Sequence, residues 1–519
     1  MAIPKITMAL PLLLLSAAGL AAASPRLAHA ARTFSRAVPG AAEARARLLA
    51  PAAAATAPAY PSIVSVSDFG AVPDGVTDNT AAFQAALGAV ATGGIVWVPT
   101  GQWSFDGSLF FPRGVSLVGT FETVPSHNVG QGGSAPVNGS ILLPRGGRGD
   151  ANATSFLVMV EDTSVRGFSI FYPEVNGSAT PVPYPYTIKM TGNNIAVQDV
   201  ELLNSFNGIS AVGAHRHYIA RVQGQPCNVG ILVDQTYDIG RIEDVHWNPW
   251  FSSHPLYMAY QQTFGVGFLI ARTDWEYTFN TFVFSMSVGY KFVKSAEGAC
   301  NGNFVGIGAD CCANASVVVE AADPWGIMIV NGEFTSFSGG FGPDIADHTQ
   351  VVVAPSNAGA VRFVSSAFWG PSHQIAKIDG TGSVGFESCI FNSWAAGNAT
   401  GAAAIQVFGG DALVRGGDFQ SSHPGGQVHL FAGAKKAIIS ENIAKGPWNV
   451  IDDAPSPKHL DIVRGARVRA REGFCTPSHF PPLSFRAPAF AEQPRRLEKD
   501  RRKRQLQLRP KYNKVKCGK

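Results

Sequence analysis

The stretch that decides the fold is DFGAVPDGVTDNTAAFQAALGAVATGGIVWVPTGQW, residues 68–103. A loop rich in Asp and Gly leads into an Ala-rich segment, whose apolar residues Phe83, Leu87 and Val90 recur at helical spacing. A double glycine ends that segment, and Ile95–Val98 follows as a short apolar run. The pattern therefore predicts a turn, a short covering helix and the first buried strand of a larger β structure.

Two other interpretations of the loop are weaker. It has neither a Walker lysine nor a GxGxxG arrangement, so phosphate binding is not indicated. A calcium site formed by Asp68, Asp74 and Asp78 is the alternative that stays open. The spacing favours polar residues that form the turn and cap a helix over about Thr80–Ala91, for which Thr77 to Thr80 offer suitable side chains.

Composition favours a β-rich, turn-dense globular protein. The chain has 519 residues, of which 15% are charged, with 56 Gly and 33 Phe. Its net charge is +4, but this charge is unevenly distributed. Residues 495–519 contain twelve Lys or Arg and two acids, a local charge of +10, so the remaining residues carry a net charge of −6. An acidic body argues against nucleic acid as a partner.

The two ends of the chain differ from its middle. Residues 1–30 resemble a signal peptide, with Lys5 before an apolar run and cleavage predicted after Ala23 or Ala30. Residues 31–61 are rich in Ala, Arg and Pro and predict a propeptide or linker. Residues 464–519 predict a basic, disordered tail. We therefore expect a secreted protein without stable membrane insertion, the alternative being a plastid or other lumen.

Cysteines and sequons add little. The seven cysteines lack metal-site spacing, and one or two disulfides with an odd thiol are the simplest expectation. Asn-x-Ser/Thr sequons at five positions fit a secretory route, which predicts a glycoprotein. They begin at Asn138, Asn152, Asn176, Asn314 and Asn398.

A repeat runs through the middle of the chain. Glycines at 208, 230, 267 and 289 each open an apolar strand, with spacings of 22, 37 and 22 residues. The longer gap equals one period plus an aromatic insertion after His246. A period near 22 is too short for a propeller blade and suits a parallel β-helix, whose stacked coils bury a continuous apolar column. A β-sandwich or jelly roll is the competing fold. We predict an all-β, single-stranded parallel β-helix over residues 62–463, with a short N-terminal capping helix.

The opening stretch also resembles a known family. The run SVSDFGAVPDGVTDNTAAFQAAL…GGIVWVPTGQW, followed by LFFPRGVSLVGT, is similar to the N-terminal region of pectate-lyase-like right-handed β-helix proteins. These include polygalacturonases, rhamnogalacturonases, exo-glucanases and phage tailspikes. The match covers Ser65–Thr120 closely and implies a right-handed parallel β-helix. It implies little about the reaction, because many chemistries share this fold.

The resemblance does not extend to known catalytic motifs. The Asn-Thr-Asp, Asp-Asp, Gly-His-Gly and Arg-Ile-Lys elements of polygalacturonases are absent from the central coils, and the pair Asp452-Asp453 lies at their far end. The arginine and calcium pattern of true pectate lyases is not visible either. Galacturonan hydrolysis by the polygalacturonase mechanism is therefore not indicated.

Residues 233–277 hold the densest chemistry. Related enzymes place catalysis on the strands that begin at the repeated glycines and on their flanking turns. Carboxylates on adjacent coils would stand roughly 5–9 Å apart, the range for paired-acid glycoside hydrolysis. A His or Tyr base with a cation on a uronate would suit β-elimination instead. The predicted catalytic residues are Asp234, Asp274, Glu276 and His246. The predicted substrate-binding residues are Arg272, Tyr237, Asp238, Trp247, Trp250, Tyr257 and Lys291.

Other polar groups have simpler interpretations. Alignment on the valines places Asp199, Arg221 and Asp244 in one column, which is better explained as a structural charge ladder than as a site. His215, Arg216 and His217 form a secondary cluster without metal-site geometry.

The sequence thus predicts an enzyme, hydrolase or lyase, that cleaves an acidic, pectin-like polysaccharide. The alternative is a carbohydrate-binding or adhesion protein without catalysis. The polysaccharide is the expected partner, no cofactor is expected apart from the open calcium alternative, and the oligomeric state is undetermined.

Overall fold

The computed structural model describes residues 62–90, 92–123, 134–336, 348–396 and 401–455, and the backbone of 460–462. The predicted signal peptide, linker and basic tail lie outside the described residues. Strands of the described part form parallel sheets of 26 and 13 strands and a small sheet of two. Because parallel strands far apart in sequence pair coil by coil, the chain is a parallel β-helix, as predicted.

Each coil has the same order of elements. A strand of the 13-stranded sheet is followed by a turn, and then by two strands of the 26-stranded sheet that meet at a sharp corner. We call these two parts face I, before the corner, and face II, after it. A loop leads from face II to the next coil. Three long strands (Ser164–Phe171, Ala196–Leu203 and Tyr218–Gly224) continue from face I into face II.

The 13-stranded sheet contains the strands that the repeated glycines open. Its strands are Leu109–Phe110, Leu157–Met159, Tyr186–Met190, Asn207–Val212, Val229–Asp234, Val266–Ile270, Val288–Phe292, Ala315–Val319, Thr349–Val353, Gln374–Ile378, Ile405–Val407, Val428–Leu430 and Val450–Asp452.

Apart from the three long strands, face I consists of Ile63–Ser65, Ile95–Trp97, Ser116–Val118, Gly240–Glu243, Glu276–Phe279, Cys300–Val305, Ala322–Val330, Ala360–Val364, Ser383–Glu387, Gly410–Arg415, Ala434–Ser440 and Leu460–Ile462. Face II consists of Asp74–Asp78, Gly101–Phe105, Ser140–Pro144, His246–Trp247, Phe282–Phe284, Gly308–Asp310, Glu333–Thr335, Ala367–Trp369, Ile390–Phe391, Asp418–Phe419 and Ile443–Ala444. The two-stranded sheet pairs Gly192–Asn193 with Ala214–His215.

The repeated glycines allow the coil to close. A Cβ added at Gly208, Gly230, Gly267 or Gly289 would lie within 2.3 to 2.6 Å of a neighbouring atom. At Gly208, Gly230 and Gly289 the nearest atom is a backbone carbonyl oxygen of the next coil, and at Gly267 it belongs to the Val283 side chain of face II, so a larger residue would collide. The period seen in the sequence is therefore a packing requirement.

The corner between faces I and II is a single residue in the left-handed conformation. Its φ lies between 49° and 64° in ten coils, at Asp199, Arg221, Asp244, Asn280, Gly306, Asn331, Ser365, Ser388, Gly416 and Glu441. Arg221 donates to both carboxylate oxygens of Asp199, each at 2.7 Å, which confirms this step of the predicted ladder. Asp244 instead accepts from Asn280 of the following coil, at 2.6 Å. These contacts stabilise a conformation that most residues avoid.

The N-terminal stretch closes the first coil. Helix Thr80–Ala89 packs Phe83 edge-on against Trp103 and Phe105, with ring centroids 5.5 and 4.8 Å apart. Asp74 accepts from the backbone of Thr77, among others, and these bonds lower its pKa to about 2. The Asp78 carboxylate accepts from the Thr80 backbone at 3.0 Å, and Asp68 belongs to the capping box of the 3-10 helix Val66–Phe69. The three acids are thus occupied in turns and caps.

Two features of the described residues were not anticipated from the sequence; Cys475 and Cys517, which also bear on the disulfide expectation, lie outside these residues. The insertion after His246 contains a second helix, Pro255–Phe264, which begins with Pro at its first position and uses His254 as its cap. The five described cysteines are buried and free, so they form no disulfide. They are Cys227, Cys300, Cys311, Cys312 and Cys389.

Candidate functional site

The turns that join the 13-stranded sheet to face I form a continuous polar surface. Coils stack about 4.8 Å apart, so side chains from successive turns become neighbours. We define the turn surface by His215, Tyr237, Arg272, Asp274 and Glu297, from four successive turns, and by Asp323 and Trp325, from the bulged start of the face I strand Ala322–Val330 in the next coil. Its length along the helix axis suits a chain-like ligand that crosses several coils.

Tyr237 is at the centre of this surface and is about half exposed. Its hydroxyl donates to the Glu297 carboxylate at 2.8 Å, and the Arg272 guanidinium lies 5.6 Å from its ring centroid. The Tyr237 backbone N–H donates to His215 Nδ1 at 3.0 Å. The hydrogen bond to Glu297 raises the pKa of the Tyr237 phenol, which therefore stays protonated at neutral pH. The ring is fixed in place with an edge exposed to solvent.

Arg272 lies close to side chains from three coils. Its guanidinium lies 3.6 Å from Asp274 and 3.7 Å from Asp323, distances longer than a good charge-assisted hydrogen bond. The Asp274 side chain is 53% exposed, whereas the Arg272 side chain is only 19% exposed. The surface thus combines a cation, accessible carboxylates and an aromatic ring.

Asp234 holds the turns together. Its Oδ1 accepts from the Gln235 N–H at 2.8 Å, the Arg272 N–H at 3.0 Å and the Ser295 hydroxyl at 2.9 Å. These donors come from three successive coils. The carboxylate therefore positions the turn that carries Arg272. Asp238, four residues further on, pairs with Arg216 of the preceding turn.

Glu276 lies inside the coil, beneath the turn surface. His217 Nε2 is 3.1 Å from its Oε1, and His217 Nδ1 is 2.8 Å from the Ala214 carbonyl oxygen. Both side chains are fully buried. Burial lowers the pKa of His217, but the adjacent Glu276 carboxylate outweighs this and raises the pKa overall. The two residues form a buried ion pair without access to a ligand.

Gly240 makes this ion pair possible. His217, Gly240 and Glu276 occupy one column on three successive coils. A Cβ at Gly240 would lie 2.2 Å from Glu276 Oε2 and 2.3 Å from His217 Cε1. The missing side chain lets residues two coils apart meet in the interior.

The predicted aromatic residues are divided between interior and surface. Trp247 and Tyr257 are fully buried, so neither ring has a face for a sugar, which corrects their predicted role. Trp250 is partly buried, 5.2 Å from the Phe284 ring, and His246 on face II lies 5.2 Å from the Phe282 ring. Burial keeps the phenol of Tyr257 protonated by raising its pKa well above the ordinary value.

The structure thus brings together only part of the predicted set. Asp234, Tyr237, Arg272 and Asp274 meet at the turn surface, with Asp238 beside them. His246 and Trp250 lie on the face II side, and Lys291 lies on the outer side of the 13-stranded sheet, 2.8 Å from Glu320. Glu297, Asp323 and Trp325 were missed, although each falls three to six residues after a strand end, the offset that also gives Tyr237 and Asp274.

A pair of carboxyl groups on face II was also missed. Asp310 and Glu333 come from neighbouring strands and are hydrogen-bonded to each other. Burial first, and the charge of Glu333 second, raise the pKa of Asp310 to about 8. Trp369 Nε1 donates to Glu333 at 2.6 Å, and Asp310 Oδ1 is buried without a hydrogen-bond partner. The Asp310–Glu333 pair therefore favours holding a proton, and it lies on a different side of the coil from the turn surface.

A search for helices able to cross a membrane found none in the described part of the chain. Among the described residues there is also no group of three or more His, Cys, Asp or Glu side chains arranged to hold a metal ion.

Comparisons with known proteins point to one family. Residues 63–248 match the family model described as "Rhamnogalacturonase A/epimerase, pectate lyase-like". No curated protein matches the chain.

Among solved structures, the A-module of the Azotobacter vinelandii mannuronan C-5 epimerase AlgE4 is 12% identical, with a TM-score of 0.39, over 78% of this chain and 98% of that one. The Streptococcus pneumoniae surface adhesin PfbA is 14% identical, with a TM-score of 0.35, over 77% and 90%. A tailspike of E. coli bacteriophage HK620, in complex with a pentasaccharide, is 9% identical, with a TM-score of 0.46, over 75% and 78%.

The coil-by-coil topology and the family match agree with the resemblance of Ser65–Thr120. A crossover between parallel strands of one sheet is right-handed in nearly all proteins. The chain is a right-handed parallel β-helix, and its residues 63–248 are similar to the pectate-lyase-like family.

Proposed function

We propose that this chain binds an acidic, pectin-like polysaccharide along the turn surface and cleaves its glycosidic bonds, as a hydrolase or a lyase. The observation that carries the proposal is the contact of Tyr237 with Arg272 and Glu297 beside the exposed Asp274. An aromatic ring, a cation and accessible carboxylates in one strip are the groups that a charged sugar chain needs. The family match over residues 63–248 supports a polysaccharide as the ligand.

Each group has a distinct role in the proposal. Arg272 binds a uronate carboxylate, because its own ion pairs are long enough to be exchanged for a substrate carboxylate. The Tyr237 ring supports the sugar next to it. Asp274 transfers the proton, since Asp234 and Glu276 are held in structural contacts.

The same contacts also support the second candidate function, a carbohydrate-binding protein without catalysis. Two of the three predicted acids stabilise the fold, so Asp274 must act with Glu297, Asp323 or the Tyr237 hydroxyl. Secretion belongs to the proposal as well, because a polysaccharide of this kind is met outside the cell.

Asp274→Asn is expected to reduce the turnover of a cleaved polysaccharide by about 10²–10⁴-fold, the usual contribution of a general acid or base. The melting temperature should stay unchanged because the side chain is exposed. Turnover is measured from the release of reducing ends. The matched control is Asp411→Asn, in the face I strand Gly410–Arg415, five coils beyond the strand that follows Asp274.

Asp310→Asn tests the competing assignment, in which the carboxyl pair of face II carries the reaction. Full activity of Asp274→Asn, combined with loss of activity in Asp310→Asn, would transfer the reaction to face II and refute the assignment to the turn surface. Loss in Asp274→Asn alone, with Asp411→Asn active, supports it.

A further inference from the structure

A cleft lies on the outer side of the 13-stranded sheet, near its N-terminal end. Its volume is about 490 Å³, within the range of sites for small ligands. One wall is formed by the segment Asn152–Ser155, and the floor by strands of four successive coils. We call it the lysine cleft, after Lys189 in its floor.

Lys189 gives the cleft its charge. It lies in the outward column that also contains Phe110, Val158 and Ser210. The side chain is exposed, and within the described residues it forms no ion pair. No carboxylate lines the cleft, so the ammonium group is available to an anion.

The same column offers two lysines for comparison, and both are engaged. Lys291 lies 2.8 Å from Glu320, and the Lys377 ammonium lies 5.4 Å from the centroid of the Phe408 ring. The free ammonium of Lys189 is therefore not a general property of this sheet.

The rest of the lining suits a sugar ring. Phe110 is 53% exposed and presents an apolar ring to the cleft, which Tyr186 also lines. The hydroxyls of Ser155 and Ser210 belong to side chains more than nine-tenths buried, and neither is hydrogen-bonded within the described part of the chain. Apolar rings contact the C–H face of a pyranose, while hydroxyls bond its oxygen atoms.

We propose that the lysine cleft binds one uronic acid residue of the polysaccharide, with the sugar carboxylate on Lys189 and the ring against Phe110. A single cation beside an apolar ring suits a carboxylated sugar better than a phosphate, which favours several donors. The inference rests on the proposed function and adds a second contact outside the turn surface, on the neighbouring sheet.

The test compares two probes, trigalacturonate and its fully methyl-esterified form, which differ only in the carboxylate charge. Binding is measured by calorimetry at low salt, using full-length protein from a host without N-glycosylation, because Asn152 in the cleft wall begins a sequon. We expect Lys189→Met to weaken trigalacturonate binding at least about tenfold. Binding of the ester should be weak in both proteins and unchanged by the substitution.

Lys377→Met is the matched control, and Lys189→Arg keeps the charge and should retain most of the affinity. Equal affinity of the wild type for the two probes, or equal losses in Lys189→Met and Lys377→Met, would overturn the proposal. The cleavage assay separates the two hypotheses. If Lys189→Met loses trigalacturonate binding but the wild type cleaves no polysaccharide, the proposed cleavage is refuted and the proposed binding at the lysine cleft stands. If the wild type cleaves polysaccharide but Lys189→Met binds trigalacturonate as the wild type does, the binding at the lysine cleft is refuted and the proposed cleavage stands.

Discussion

Glu276→Ala is expected to lower the free energy of unfolding by about 3–5 kcal/mol, because it leaves His217 buried without its counter-charge. Both side chains of this ion pair are fully buried, and the pair fills the space above Gly240. Urea unfolding followed by circular dichroism measures the change. A loss below about 1 kcal/mol, the usual value for exposed pairs, would contradict the buried ion pair.

Two controls isolate the cause. Glu441→Ala removes an exposed acid that pairs with Arg415 at 2.7 Å, and it should cost less than about 1 kcal/mol. The double replacement of His217 and Glu276 by leucine removes both charges. It should be more stable than Glu276→Ala, because no charge remains buried without a partner.

The pH dependence of stability has a definite sign. The pKa of His217 is raised in the folded chain, so the protonated imidazole stabilises the fold fully below its ordinary pKa of about 6.5. This stabilisation is lost as the pH rises through the raised value. Glu276→Ala should therefore lose less stability, relative to the wild type, at high pH than at pH 6.

Trp247→Ala is the second large effect, with an expected loss of about 3–5 kcal/mol. The indole is fully buried, 6.5 Å from the Phe268 ring, and it packs over Gly230, where a Cβ would lie 2.6 Å from its Nε1. Its removal leaves a cavity that the closed coil cannot collapse into. Thermal unfolding by calorimetry measures the loss.

Trp325→Ala is the matched control for this substitution. Its side chain is 76% exposed on the turn surface, so we expect a stability change within about 0.5 kcal/mol. In a polysaccharide binding assay below the melting temperature, Trp325→Ala should bind more weakly and Trp247→Ala should bind normally. The opposite result would place Trp247 in contact with sugar and contradict its position in the core.

The sequence predicted the fold from features that reflect packing directly. The repeated glycines are positions where a Cβ would collide with the backbone of the next coil or with face II, and the opening stretch forms the closing helix with Phe83 at its centre. The register of Val200 and Val222 also followed from the sequence. Each of these features repeats or caps a coil.

The candidate site was harder to predict because the alternation of polar and apolar residues within one strand can indicate the wrong face for a side chain. In the strand Glu276–Phe279, Glu276 and Thr278 point inward while Tyr277 and Phe279 are exposed, the reverse of the usual alternation. Only the register with Gly240 and Gly302, which leave space in the interior, explains this inversion. A single sequence does not reveal such a long-range exception.

The carboxyl pair of face II was missed for a related reason. Asp310 and Glu333 are 23 residues apart, each in a strand of three residues, Gly308–Asp310 and Glu333–Thr335, and neither strand contains a motif. Their hydrogen bond depends on the pairing of Gly308 with Glu333 between coils. This pairing is defined only by the register of the whole 26-stranded sheet.

The central claim is cleavage of an acidic polysaccharide at the turn surface. Its most direct test is incubation of the full-length protein with polygalacturonate, rhamnogalacturonan and their methyl esters, followed by assays for reducing ends and for the ultraviolet absorbance of unsaturated uronates. We predict new reducing ends from an acidic polymer, with added absorbance if the reaction is an elimination, and their loss in Asp274→Asn. Binding of these polymers without any new ends, or no interaction with any of them, would contradict the account.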